Sequence, residues 1–193
     1  MSHKGLTTDQ VVKTAAELIE HSGRSGFSMR QLAAVLGVKA ASLYNHVDSM
    51  DALLAEVCRY AMRLQMDAEL AAIDGKTGGD AVFALADAYR DFAKAHRELY
   101  WLIMDTAARD NRVLDDAAIC FTLPLKKMME SFSLPEEDQV HYRRLFRAIV
   151  HGFLSQEDAG FFSHTPVSTD ESFHFAVRRF ADLLRAAGEG AGQ

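Results

Sequence analysis

Apolar residues recur at helical spacing along almost the whole chain and nowhere alternate as they do in a strand. One stripe is Val11, Val12, Ala15, Ala16, Leu18 and Ile19; another is Met50, Leu53, Leu54, Val57, Ala61, Leu64, Ala68 and Ala71. Later ones are Val82, Phe83, Leu85, Ala86, Tyr89, Phe92 and Ala93, then Tyr142, Leu145, Phe146, Ile149, Val150, Phe153 and Leu154. Each such stripe has to be covered by another helix. Only three prolines, Pro124, Pro135 and Pro166, punctuate 193 residues. The pattern predicts an all-α fold of about nine helices with no strand and no internal repeat.

Capping residues place the helix ends. The first helix is expected over 8–22, capped by Thr7 or Thr8 and broken by the glycines of 23–26. Ser28 caps a second that stops before Gly37, and a third is expected over 40–47. Ser49 caps a long fourth helix over about 49–73, with Asp51 well placed near its positive end. "GKTGG", 75–79, reads as a linker; it lacks the spacing of a phosphate-binding loop and the strand before it. Further helices are expected over 80–95, 97–106, 111–132 (bent or interrupted by Pro124), 135–158 with Pro135 in its first turn, and 170–187. The tail "GEGAGQ" is expected to be disordered.

Composition narrows the class. No apolar run approaches the ~20 residues of a membrane span, and the first residues lack the apolar centre of a signal peptide. A cytoplasmic protein with no membrane partner is expected. Cys58 and Cys120 lie on apolar helix faces and read as small buried hydrophobes, not as a disulfide or metal pair. The net charge is −6, but residues 1–47 set Lys4, Lys13, Arg24, Arg30 and Lys39 against Asp9, Glu17 and Glu20. A head of +2 therefore precedes a body of −8.

The most informative stretch is "GVKAASLYNHV", 37–47. Helix, glycine turn and short helix together make a helix-turn-helix, whose second helix enters the DNA major groove. Gly37 supplies the positive φ of a sharp turn. Ala33 is small where the two helices cross, and Leu32, Val38, Leu43 and Val47 fill the wedge. The outward residues Lys39, Ala40, Ala41, Ser42, Tyr44, Asn45 and His46 are short or planar, as close approach to a groove floor demands. Ala40 and Ala41 suit thymine methyls, and Ser42 and Asn45 can hydrogen-bond base edges. Tyr44, His46, Ser28, Arg30 and Lys39 suit phosphates, and backbone N–H groups at Ser49–Met50 suit another.

The run "MRQLAAVLGVKAASLYNHVDSMDALLAEV" resembles the DNA-binding segment of the TetR (tetracycline-repressor) family of bacterial transcriptional regulators. The Leu-Gly-Val turn, Ser-Leu-Tyr-x-His and the Leu-Leu that opens the fourth helix carry the likeness. Met50 stands where the family usually has lysine. "FRAIVHGFLSQEDAGFF", 146–162, is similar to a C-terminal subgroup named for a Trp-His-Gly pattern, although the tryptophan is absent here and Gln156 replaces an apolar residue. The resemblance implies a DNA-binding domain over 1–48 and an effector-binding and dimerisation domain over 49–193. It also implies a homodimer on a near-palindromic double-stranded DNA operator and a small-molecule effector, with no cofactor and no metal.

The last two long helices are apolar beyond one narrow stripe, which places Val150, Phe153, Leu154, Phe173, Val177, Phe180 and Leu184 at the expected dimer interface. The resemblance implies an effector pocket among the middle helices, where Tyr89, Phe92, Tyr100, Trp101, Met104, Phe121, Met128 and His151 are the expected contacts, suited to an apolar ligand. Together these features predict a repressor released by its effector. An effector-independent DNA-binding dimer is the alternative. A helical-bundle enzyme built on His151, Glu157, Asp158 or His164 fits poorly. Glu157 and Asp158 point about 100° apart on one helix, and His141 and His151 are too far apart to share a metal. No catalytic residue is assigned.

Overall fold

The computed structural model describes residues 5–107, 111–164 and 166–190. Among them are nine helices and no strand: α1 (Thr8–Gly26), α2 (Met29–Leu36), α3 (Ala40–Leu43), α4 (Met50–Ile73), α5 (Gly78–Ala95), α6 (Arg97–Ala107), α7 (Asn111–Met129), α8 (Glu136–Asp158) and α9 (Thr169–Gly190). None of the described helices is long and apolar enough to cross a membrane.

The packing divides into two compact units. The first holds residues up to Leu64 with Ala95–Ile119; the second holds Gln65–Lys94 with the residues from Cys120 on. In the first, α1 packs on α2 and α6, and α2 on α3. Its core includes Val11, Ala15, Ile19, Leu32, Leu43, Leu53, Val57 and Ile103, each fully shielded from solvent. Glu20 accepts a hydrogen bond from the Leu99 N–H at the start of α6, at 3.3 Å. Arg24 pairs with Asp105, and Arg59 pairs with both Glu56 (2.7 Å) and Asp116 (2.6 Å). In the second unit, α8 packs against α9. Phe146 and Phe180 meet edge-on with ring centres 5.3 Å apart, as do Phe153 and Phe173. Cys58 and Cys120 are both buried, as expected of small apolar residues.

Several ends fall where the capping residues place them. Thr7 caps α1 in a reciprocal capping box with Gln10. Ser28 Oγ accepts from Gln31 N–H at 3.3 Å, and Ser49 Oγ from Ala52 N–H at 3.0 Å. Gly23, with φ of +71°, breaks the helical path inside α1 where the glycine run predicts it.

The ends of two helices differ from expectation. The third helix does not run to Val47; regular α-helix ends at Leu43. The chain then tightens into i→i+3 bonds from Asn45 N–H to Ser42 and His46 N–H to Leu43, at 3.3 and 2.9 Å. Of the two outcomes expected at Pro124, interruption does not occur: α7 passes through it, because Phe121, Leu125, Met128 and Met129 are all buried and packing offsets one missing N–H. α9 continues to Gly190, so the described part of the tail is helical. Residues 191–193 lie outside the described residues.

The expected dimer contacts pack within the chain itself. Val150, Leu154, Phe173, Val177, Phe180 and Leu184 are at most 5% exposed within a single chain, so they form its core. Phe153 is half-buried, against Phe162 and Phe173. The excess apolar surface of α8 and α9 is carried by other residues: Leu145, Phe175 and Leu183 are exposed.

Gly37 ends α2 with φ of +68° and ψ of 28°, its N–H donating to Ala33 and Ala34. A Cβ there would touch nothing within 4 Å, so the penalty of a side chain is purely conformational. Gly37→Ala is expected to destabilise the chain by about 1–2 kcal/mol. A thermal melt followed by circular dichroism checks this; an unchanged midpoint would remove the left-handed turn from the account.

Candidate nucleic-acid interface

The stretch from Ser28 to Ser49 is assembled wholly within the first unit. Leu32 and Leu43 are fully buried, Ala33 and Val47 nearly so, and Val38 is half-covered. They clamp α3 against α2, and Val38 N–H donates to Ala33 O at 3.0 Å as the chain leaves Gly37. With those residues facing inward, Lys39, Ala40, Ala41, Tyr44 and Asn45 face outward and exposed; Ser42 and His46 are half-buried. Tyr44 is 54% exposed, unusual for an aromatic side chain in so compact a setting.

Arg30 is exposed on α2 and Ser28 is half-buried, its hydroxyl donating to Gln31 Oε1 at 2.7 Å while capping the helix. Ser49 is exposed and caps α4, so its hydroxyl is engaged by Ala52 N–H. All ten candidate DNA-contact residues therefore lie in one segment. Between Lys39 and His46 its exposed face carries no carboxylate and a single lysine. That surface can approach a polyanion closely, offering hydrogen bonds and methyl groups instead of long mobile charges.

The expected effector contacts divide between the units. Tyr100, Trp101 and Met104, on α6, belong to the first; Tyr100 is 1% exposed, with Trp101 edge-on to it at 5.2 Å. Tyr89, Phe92, Phe121, Met128 and His151 belong to the second, where Phe92 and Met128 are simply core. Tyr89 and Phe121 do come together. With Glu69, Leu85, Leu125, Phe146 and Arg147 they line a crevice too tight to admit a water molecule. His151 is half-buried on α8, and burial together with the charge of Arg147 holds its imidazole below the ordinary histidine range.

Two sets of residues in the second unit escape a reading of periodicity. Gln65 and Glu69 are 1% and 3% exposed, one turn apart on α4, with Gln65 Nε2 donating to Glu69 Oε1 at 2.7 Å. Burial pushes the Glu69 carboxyl up to about 8, against the opposing hydrogen bond from Gln65 and the charge of Arg147. Gln65 Oε1 is buried with no hydrogen-bond partner among the described residues. Their signal in the sequence is that Met62, Gln65, Glu69 and Ile73 continue the buried stripe at spacings of three and four. The second set centres on Arg90, 6% exposed, which reaches Glu157 and Asp170 from α5.

Comparison with known proteins agrees with this architecture. A model for bacterial regulatory proteins of the tetR family matches residues 11–57. One for the tetracyclin repressor-like C-terminal domain matches residues 82–180, about half the chain. The chain is 29% identical over 181 residues to the helix-turn-helix-type transcriptional regulator YobS of Bacillus subtilis, covering 93% of each protein. In fold it is similar to a protein from Rhodococcus sp. RHA1, with a TM-score of 0.79, 24% identity and coverage of 95% and 97%. It is also similar to the TetR family protein ActR of Streptomyces coelicolor in complex with (S)-DNPA, with a TM-score of 0.68, 20% identity and coverage of 95% and 99%. A tetR-family model over the helix-turn-helix and a second over the body leave one conclusion: this chain belongs to the TetR family and is a transcriptional regulator of that family, not an enzyme.

Proposed function

We propose that this chain is a repressor, acting as a homodimer on a near-palindromic DNA operator and released by a small effector. Residues 1–48 form the DNA-reading head in this account, and residues 49–193 the effector-binding and dimerising body. The observation that carries the reading is the outward face of Lys39, Ala40, Ala41, Tyr44 and Asn45 on an element clamped from behind by Leu43 and Val47. A twofold dimer sets two such faces about 34–36 Å apart, one helical turn of DNA. Leu145, Phe175 and Leu183 are the apolar residues we assign to the contact between copies.

α4 begins at the head and continues into the second unit as far as Ile73, so a ligand that favours one setting of it changes the spacing of the two heads. A coupling of about 1–3 kcal/mol changes DNA affinity by about 5–150-fold. The (S)-DNPA bound by ActR supports a body that takes small organic ligands.

Selection of genomic fragments by the purified chain, with Tyr44→Ala as control, tests the reading. A short near-palindrome is expected from the wild type. Tyr44→Ala is expected to weaken its binding about tenfold, the effect of losing one phosphate contact and its packing. Equal enrichment by both proteins would exclude this face as the DNA-reading surface. An operator affinity indifferent to every ligand would favour the effector-independent dimer.

A further inference from the structure

Along α8, Arg143, Arg144 and Arg147 turn toward a cavity of about 240 Å³, with Val140 one turn before them and Phe121, Thr122 and Leu125 of α7 opposite. All seven residues belong to the second unit. Unlike the closed crevice beside it, this cavity has room for an organic molecule. Three guanidinium groups border it in a body that otherwise carries an acidic excess.

Among the described residues no carboxylate lies within ion-pair distance of Arg143 or Arg144, and neither makes a hydrogen bond. Several carboxylates of the unit are engaged elsewhere: Glu157 and Asp170 with Arg90, Asp87 with His174, Asp182 with Arg179 and Arg185. Arg147 lies over the Phe121 ring, 4.6 Å from its centre. Guanidinium forks left without a carboxylate are matched in geometry to carboxylate, phosphate or sulfonate oxygens. Phe121, Leu125 and Val140 give the same cavity an apolar floor.

We infer that this cavity binds an amphipathic organic anion, its head group held by Arg143, Arg144 and Arg147 and its apolar body lying against Phe121, Leu125 and Val140. The inference rests on the proposed effector reading and names the chemical class of the effector. Arg147, Phe121 and Leu125 also wall the closed crevice, whose lining includes Glu69 of α4. An anion that draws Arg147 away from Phe121 frees that wall, and the apolar body can then advance toward Phe146 and α4. Binding at the arginines is thereby transmitted to the helix that leads back to the head.

The test uses the full chain and the fluorescence of 8-anilinonaphthalene-1-sulfonate, displaced by decanoate, decyl phosphate or decyltrimethylammonium. Decanoate or decyl phosphate is expected to displace the dye, the cation at least tenfold less well. In Arg143→Gln/Arg144→Gln, at least tenfold more of the anion is expected to be required. Arg143→Lys/Arg144→Lys, which keeps the charge but not the fork, is expected to fall between. Lys76→Gln/Lys126→Gln removes two exposed charges elsewhere in the unit and is expected to behave as wild type. Equal displacement by the cation, or anion binding indifferent to the arginine variants, overturns the inference, as does a cavity covered by a second copy that takes neither anion. Operator affinity measured in the same solutions separates the two readings. Arginine-dependent anion binding that leaves DNA affinity unchanged removes the effector mechanism and keeps the site. Release from DNA that is indifferent to the arginines does the opposite.

Discussion

Arg90→Met is expected to destabilise the protein by about 3–4 kcal/mol, lowering the melting midpoint by roughly 6–16 °C. Arg90 reaches from α5 to both carboxylate oxygens of Glu157 near the end of α8, at 3.1 and 2.7 Å. It also meets Asp170 in the first turn of α9 at 2.8 Å, and its guanidinium lies 4.6 Å from the centre of the Phe173 ring. Only 7% of its side chain and 21% of the Glu157 side chain are exposed. Removing the arginine strands a carboxylate that Lys94, at 2.9 Å, cannot satisfy alone. The residual exposure of Glu157 keeps the expected cost in the lower part of the range for a broken buried pair. Arg90→Met/Glu157→Leu should recover much of the loss; a double variant as unstable as the single would show that volume, not charge, is responsible. Acid gives a second check. Burial disfavours the Glu157 anion, yet the hydrogen bonds and charges of Arg90 and Lys94 outweigh it and hold its carboxyl below the ordinary range. The stabilisation is present above that ordinary range and lost as pH falls through the depressed value. Arg90→Met should therefore flatten the acid limb of the stability profile.

Glu69→Gln is expected to act in the opposite direction. In the folded chain burial raises the Glu69 carboxyl to about 8, so the fold favours the protonated form. Below the ordinary carboxylate value this costs nothing. As pH rises toward 8 the unfolded chain releases its proton while the folded chain retains it, and stability declines throughout that window. At pH 7 the accumulated cost is on the order of 3 kcal/mol. Glutamine keeps the acceptor for Gln65 Nε2 and removes the titration, so a gain of about 2–3 kcal/mol, or roughly 5–10 °C, is expected near neutrality. Melts at pH 5.5 and 8.5 decide the matter: the variant's advantage should grow with pH, and parallel profiles would refute the buried acid.

Much of this architecture is legible from local signals. Thr7, Ser28 and Ser49 announce helix starts because a side-chain oxygen satisfies an N–H two or three residues on, and Gly37 announces the turn because a left-handed φ disfavours other residues. What escapes is set by distance along the chain. Arg90 and Glu157 are 67 residues apart, and nothing in either neighbourhood distinguishes them from solvated charges. The stripe of α4 was legible as far as Leu64, after which polar Gln65 and Glu69 take the inward positions while Ala68 and Ala71 face solvent. The expected dimer residues show a related limit. Periodicity finds the apolar face of α8 and α9 but cannot divide it between this chain's core and a second copy. The contact proposed between copies therefore rests on the residues left exposed, Leu145, Phe175 and Leu183.

α3 is only four residues long. An isolated helix needs about 12–15 residues before it holds itself together in water, so this turn has no order of its own and takes its shape from Leu43 and Val47. On the proposed reading, DNA affinity is then an intrinsic affinity scaled by the fraction of heads in which the turn is formed. A change behind the turn lowers that fraction and the affinity together. The occupancy of an operator by such a protein is a thermometer of its own packing.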